Sequence, residues 1–141
     1  MDYKKINYLF LIVLLLIGCT ISPKEIEYGK DACSFCKMMI VDTKFASEIV
    51  TNKGRAFKYD AIECMLSDIK EKSEKKLAYI LVTDYNEPKK LIDATKATFL
   101  INQNIKSPMG ANLSAYISKE KGQLNGTELY DWNAIKAQFK N

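Results

Sequence analysis

The chain has 141 residues, with 21 Lys or Arg against 17 Asp or Glu, a formal net charge of +4 and no histidine. This length suits one domain with a modest core. Acidic and basic residues are interleaved, which indicates a solvated surface and excludes a nucleic-acid-binding stripe. The missing histidine removes the commonest general base and the commonest nitrogen ligand for metals.

The first 18 residues are typical of a secretory signal. Lys4 and Lys5 form a short basic region, and residues 8–17 form an apolar stretch about half as long as the roughly 20 residues that span a bilayer. The sequence LLIGC ends this stretch and resembles the lipobox of bacterial lipoproteins. We therefore expect cleavage before Cys19 and acylation of its thiol, and several acyl chains anchor a protein durably. An ordinary signal peptide with an incidental cysteine is the alternative.

A polar segment, residues 19–30, contains one Pro and one Gly and is predicted to be a lipidated tether. Residues 31–141 would then form a single folded domain. Within it, FASEIVT (45–51) and RAFKYD (55–60) alternate apolar and polar residues on either side of NKG. This pattern predicts a β-hairpin.

The segment DAIECMLSDIKEK (60–72) predicts a helix, with Asp60 as its cap and Glu63 completing a capping box. Its apolar stripe has helical spacing and comprises Ile62, Met65, Leu66 and Ile69.

The second half of the chain is predicted to contain further strands and a closing helix. Residues 76–85 form a strongly apolar, central strand, and one or two more strands fall within 93–101. A turn at 108–110 precedes a strand or a short helix, and Asp131 is the N-cap of a last helix. A turn motif, extended segments and a capped helix occur twice along the chain, which predicts an α+β fold. This order indicates either two similar halves or the alternation that is common in small α+β domains.

The stretch DACSFCKMMI (31–40) leaves three kinds of site open. A thiol–disulfide oxidoreductase using Cys33 and Cys36 would need a preceding strand, for which the tether shows no pattern. A zinc-stabilised binding module would need four ligands, and only one further cysteine remains. Thiolate and thioether sulfur select Cu(I), and Cys36 and Met38 would project to the same side of an extended segment.

Two further sulfur residues carry less specific signals. Met109 lies in the turn SPMG, where it is either a lid over the core or a presented ligand. Cys64 lies on the predicted helix, opposite its apolar stripe, where a small buried hydrophobic role is expected.

The order of the segments resembles that of NosL-type copper lipoproteins, accessory proteins of nitrous-oxide reductase maturation. The similar segments are the lipobox, CSFCKMMI, RAFKYDAIECML, YILVTDY, LIDATKATFLI and SPMGANLSAY, and they cover nearly all of the mature chain as far as about Tyr116. The resemblance implies an α+β, treble-clef-like fold of two similar βββα-like halves. It also implies delivery of Cu(I) to the machinery that builds the copper centres of that enzyme, including a membrane ABC transporter.

By position, Cys33, Cys36 and Met38 match the family's cysteine–methionine motif, and Met109 matches its Pro-Met-Gly methionine. The family usually has glycine where Lys37 stands, and the segment after Tyr116 is shorter here than in the family. Further matches are Phe57 and Asp60 in the hairpin region, and Asp93, Ala94 and Ala97 in the segment LIDATKA.

We therefore predict an extracytoplasmic Cu(I) chaperone, lipid-anchored to a bacterial membrane, without catalytic activity. Cys36 and Met38 are the first-choice ligands, and Cys33 and Met109 are the next candidates. We expect neither a nucleic-acid partner nor a small-molecule substrate.

Overall fold

The computed structural model describes residues 20–118 and 128–139. These parts of the chain form an α+β fold with two small antiparallel sheets and two α-helices, which confirms the predicted fold class. The predicted signal and the acylation site at Cys19 lie outside the described residues. Within those residues, no helix has the length and apolar character needed to cross a membrane.

The first sheet contains the predicted hairpin and the predicted central strand. Its strands are β1 (Ser47–Thr51), β2 (Ala56–Tyr59), β3 (Leu77–Thr83) and β4 (Leu91–Asp93), in the order β2-β1-β3-β4. Helix α1 (Ile62–Ile69) follows β2, and a 3₁₀ turn (Glu74–Lys76) leads into β3. One face of the sheet packs on α1, because Ile49 and Ile80 lie side by side on it and belong to the same core as the helix.

The second sheet lies after β4 and has a helix at its end. Its strands are β5 (Thr98–Ile101), β6 (Leu113–Tyr116) and β7 (Leu129–Tyr130), in the order β6-β5-β7, and helix α2 (Trp132–Gln138) follows β7. Asp131 caps α2 as predicted, since its Oδ1 accepts a hydrogen bond from the Ala134 backbone N–H at 2.8 Å.

The two sheets share one hydrophobic core. A parallel bridge joins Asp84, just after β3, to Ala115 of β6, and the Tyr85 backbone N–H donates to the Ala115 carbonyl at 2.8 Å. Phe99 and Ile135 from the second half are fully buried in the same cluster as α1. The two halves are therefore one packed unit.

An N-terminal strap (residues 21–26) crosses the outer face of the first sheet. The backbone N–H of Lys24 donates to Glu48 Oε1 at 2.7 Å, and the Tyr79 hydroxyl donates to the Ile21 carbonyl at 3.4 Å. Ile26 is buried in the main core. The strap explains why β1 is buried on both faces and how the carboxyl group of Glu48, in the middle of a sheet, obtains a hydrogen-bond partner.

The predicted capping box is wrong. Helix α1 has Ala61 as its N-cap, with no side-chain hydrogen bond, and Glu63 is buried. Asp60 lies one residue too early to cap, and its backbone N–H is directed at the sulfur of Cys33 instead. The beginning of α1 is thus shaped by its contacts with the cysteine segment and not by a local cap.

Candidate metal centre

The segment 32–39 forms a tight hairpin, which we call the cysteine hairpin. Ala32 and Met39 pair as an antiparallel bridge, and the Cys33 backbone N–H donates to the Met38 carbonyl at 2.8 Å. The Lys37 N–H donates back to the Cys33 carbonyl at 3.1 Å, which closes the turn between the two cysteines. The turn is tied to β2 by the Ser34 N–H, which donates to the Lys58 carbonyl at 2.7 Å.

Lys37 occupies a backbone conformation that favours glycine. Its φ is +67°, in the left-handed region that side chains with a Cβ adopt at a cost. The tight turn imposes this angle on the residue after the second cysteine. The structure thus gives a physical reason why glycine is the expected residue here, and Lys37 Nζ meets the Ser34 carbonyl at 2.5 Å across the same turn.

A third cysteine completes a cluster beneath the hairpin. Cys64 is the third residue of α1, and its sulfur lies within 4.8 Å of the sulfurs of Cys33 and Cys36, which are also within 4.8 Å of each other. Thiolates bound to one ion at about 2.3 Å stand roughly 4 Å apart. The three-cysteine cluster (Cys33, Cys36 and Cys64) is therefore close to the spacing of a metal site.

Hydrogen bonds to sulfur set the protonation of the cluster. The pKa of Cys33 is lowered chiefly because the Cys64 thiol donates a hydrogen bond to it; burial opposes this effect, and the backbone N–H groups of Asp60, Cys36 and Phe35 add to it. That same hydrogen bond, together with burial, raises the pKa of Cys64. The pKa of Cys36 is also raised, chiefly by burial. The charge is thus held on Cys33, and a metal must displace protons from the other two thiols.

The donor set distinguishes between metals. Among the described residues, no Asp, Glu or fourth cysteine joins the cluster, and the sequence has no histidine. A closed structural zinc site needs four such ligands. Three thiolates suit Cu(I), which is soft and does not require a fourth donor.

The predicted methionine ligands lie at the surface. Met38 and Met109 are 51% and 43% exposed, whereas Cys33 and Cys64 are each 1% exposed. We call Met38 and Met109 the methionine rim. The backbone N–H of Met38 is directed at the sulfur of Cys36, so the main chain of Met38, at least, lies beside the cluster.

A buried carboxyl group holds the turn that carries Met109. The Ser107 hydroxyl donates to Glu63 Oε1 and accepts a hydrogen bond from the Asn112 backbone N–H, while the Gly110 N–H donates to the Ser107 carbonyl at 3.0 Å. Glu63 precedes Cys64 in α1. This contact therefore holds the turn from the second half against the N-terminal end of α1, where Cys64 also lies.

Sequence reasoning missed Cys64 as a site residue. Its position opposite the apolar stripe of α1 indicated a small buried residue, and it is indeed buried. The cysteine hairpin covers that side of the helix and turns it into a second interface. The odd number of cysteines after residue 19 was the available signal, since it left one thiol without a partner.

Comparisons with known proteins agree with this architecture. A family model described as NosL matches residues 23–137. Among solved structures, the crystal structure of the copper chaperone NosL from Shewanella denitrificans is similar, with a TM-score of 0.69 and 16% sequence identity; the match covers 82% of this chain and 96% of that chain. No curated protein sequence matches the chain at a significant level.

Proposed function

This chain belongs to the NosL family, and from that premise we propose that it is a Cu(I)-binding chaperone without catalytic activity. The observation that carries the proposal is the three-cysteine cluster, in which three sulfurs lie within 4.8 Å of one another at the junction of the cysteine hairpin and α1. Soft, closely spaced sulfur ligands, two of them buried, select a soft cation.

The methionine rim suits the release of the ion. Thioether sulfur is a neutral, weaker ligand than thiolate, and Met38 and Met109 are about half exposed. In our proposal, the cysteines hold Cu(I) at rest, and the methionines bind it transiently while sulfur ligands of an acceptor replace the cysteines one by one. The copper remains Cu(I) throughout, so the transfer needs no oxidant or reductant.

We further propose that the acceptor is the machinery that assembles the copper centres of nitrous-oxide reductase, including a membrane ABC transporter. Membership of the family supports this assignment. The lipobox-like sequence before Cys19 supports an extracytoplasmic, lipid-anchored location. Thiols are oxidised readily in such compartments, and bound copper would protect the cluster from forming a disulfide.

Anaerobic titration tests the proposal. Reduced fragment 20–141, which contains every residue of the core that the two sheets share, is titrated with Cu(I) in the presence of a chromogenic competing chelator. We expect one ion per chain and binding tight enough to compete with the chelator. X-ray absorption should show about three sulfur neighbours. The control is the triple variant with Cys33, Cys36 and Cys64 changed to Ser, which should lose this binding.

Other outcomes would overturn the proposal. Stoichiometric zinc in the purified protein, whose removal unfolds it, would favour a zinc-stabilised binding module. Catalysed reduction of insulin disulfides that requires Cys33 and Cys36 would favour a thiol–disulfide oxidoreductase. Cu(I) binding that persists in the triple variant would show that the cluster is not the site.

A further inference from the structure

The strap sets where the chain leaves the folded domain. Lys24 contacts Glu48 near the middle of β1, and Ile21 contacts Tyr79, which pairs with Val50 near the C-terminal end of β1. From residue 26 back to residue 21, the strap therefore runs toward the turn that connects β1 to β2. Ile21, near the start of the described residues, consequently lies at that end of the first sheet.

Cations from three separate elements meet at this same end. The β1–β2 turn is joined to the 3₁₀ turn, since the Asn52 backbone N–H donates to the Lys76 carbonyl at 2.9 Å. The segment just after α1 joins them at Phe57, because the Arg55 guanidinium lies 4.7 Å and the Lys72 ammonium 4.9 Å from the centre of its ring. We call this surface the basic end; it comprises Lys53, Arg55, Lys70, Lys72, Lys75 and Lys76.

Most of these charges are exposed and uncompensated. In the described parts of the chain, only Lys72 of the six takes part in an ion pair, with Asp68 at 2.6 Å. The other five are exposed. The segment between α1 and β3 contributes two acidic residues, Glu71 and Glu74, against these six positive charges. Of the two, Glu74 is paired with Lys136.

A groove of about 540 Å³ lies on this surface between the end of α1 and α2. Glu74 is its one acidic lining residue, and its four lysines are Lys70, Lys72, Lys75 and Lys136. This excess of positive charge suits a phosphate-bearing group.

We propose that the basic end docks onto the anionic headgroups of the membrane from which the chain emerges. This inference rests on the proposed lipid anchor. Lysines close to an anionic surface are attracted to it, and the attraction falls off within a Debye length. Since acyl chains would already hold the protein at the membrane, the lysines act on its orientation.

This orientation directs the metal centre away from the lipid. The cysteine hairpin is tied to the end of β2 near Tyr59, and α1 begins just after its N-cap Ala61. The cluster therefore lies at the end of the first sheet opposite the β1–β2 turn. A five-residue strand is roughly 17 Å long. The docked domain would therefore present the three-cysteine cluster to the aqueous side, where a protein acceptor can reach it.

Vesicle cosedimentation tests the docking without using copper, so its failure is distinct from failure of the proposed function. Fragment 20–141 is mixed with vesicles of phosphatidylcholine alone or with about 30% phosphatidylglycerol. We expect binding only to the anionic vesicles, with weakening as salt rises. The variant with Lys53, Arg55, Lys75 and Lys76 changed to Gln should bind at least about tenfold more weakly.

The matched control changes four exposed lysines toward the cysteine end, Lys30, Lys44, Lys89 and Lys106, to Gln and alters the net charge equally. It should bind as the unmodified fragment does. Amide hydrogen exchange on anionic vesicles should show protection at residues 52–55 and 74–76, with residues 33–38 unaffected. Equal losses in both variants, protection at the cysteine hairpin, or equally tight binding to a DNA duplex would overturn the proposal.

Discussion

The three-cysteine cluster and the methionine rim both present sulfur, but they differ in how much water they meet. Cys33 and Cys64 are almost completely buried, whereas Met38 and Met109 are about half exposed. Desolvated thiolates have few competing partners and hold a soft cation firmly, while hydrated thioethers hold it weakly and exchange it quickly. This difference in exposure supports the proposal that the cysteines retain the ion and the methionines release it.

The largest expected effect comes from removing the third cysteine. Loss of an outer-shell partner of a metal ligand already lowers affinity 10–100-fold, so Cys64→Ser should weaken Cu(I) binding by at least about a hundredfold. Chelator competition measures the change, and circular dichroism checks that the fold is retained. An affinity within threefold of the unmodified chain would show that Cys64 is only a packing residue.

The next effect concerns how firmly the cysteine hairpin, and with it the three-cysteine cluster, is attached to the domain. Asp31 Oδ2 accepts hydrogen bonds from Lys58 Nζ at 2.6 Å and from the Glu27 N–H at 2.7 Å, next to the cysteine hairpin. Asp31→Asn should lower the free energy of unfolding by about 1–2 kcal/mol at pH 7, as measured by urea denaturation of the metal-free fragment.

The pH dependence of this loss has a definite sign. Burial tends to raise the pKa of Asp31, but the Lys58 hydrogen bond and the Glu27 N–H lower it below its ordinary value of 3.8. The stabilisation is therefore present above that value and disappears as the pH falls through the folded-state pKa. The difference in stability between the variant and the unmodified fragment should be constant above about pH 4 and shrink progressively as the pH falls below that value; a constant difference down to pH 2 would contradict this assignment.

A smaller effect is expected when the rim is altered. Met38→Leu keeps the size of the side chain but removes its sulfur, and should lower the equilibrium Cu(I) affinity by no more than about tenfold, because the cysteines supply most of the binding. Stopped-flow transfer of Cu(I) to a chelator should be slowed more than the affinity is lowered. Met39→Leu is the matched control, since Met39 is equally exposed at 54% and should change neither quantity. Identical results for the two variants would remove the special role of Met38.

The smallest effect concerns the backbone at Lys37, which lies between Cys36 of the cluster and Met38 of the rim. Because Lys37 has a φ of +67°, Lys37→Gly should relieve the left-handed strain and raise the free energy of unfolding by about 0.5–1 kcal/mol. Lys37→Ala is the control, because it removes the lysine ammonium and keeps the strained angle. Equal stabilisation by both variants would point to the charge of Lys37 and not to its backbone.

Most of the fold could be predicted from local patterns. The hairpin of β1 and β2, the central strand β3, helix α1 and the Asp131 cap of α2 each follow from alternation, helical periodicity or a capping residue within a short window. The failed capping box at Asp60 shows the limit of such windows. A tertiary contact, between the Asp60 N–H and the Cys33 sulfur, overrides the local signal.

The site could be predicted only in part, because it joins residues distant in sequence. Cys33 and Cys36 were recognisable from their spacing, but Cys64 enters the cluster only when the cysteine hairpin folds onto the face of α1 opposite its apolar stripe. Periodicity reports which face of a helix is apolar and does not report what covers the other face. Residue chemistry indicated Met38 and Met109 as candidate ligands and the resemblance matched them to the family's motifs, whereas their exposure follows from the three-dimensional arrangement.

The bridge between Asp84 and Ala115, and the core that the two sheets share, make the domain a single cooperative unit. A ligand that binds the native state lowers the population of every opened form that lacks the binding site, including forms opened far from it. Under the proposed function, copper bound in the first half would therefore also keep the second half closed, although the described part of that half contributes no cysteine. Loss of copper would speed the opening of β5 and β6 and increase the exposure of the whole domain to proteases. The copper-bound and copper-free forms would then differ in lifetime as well as in metal content.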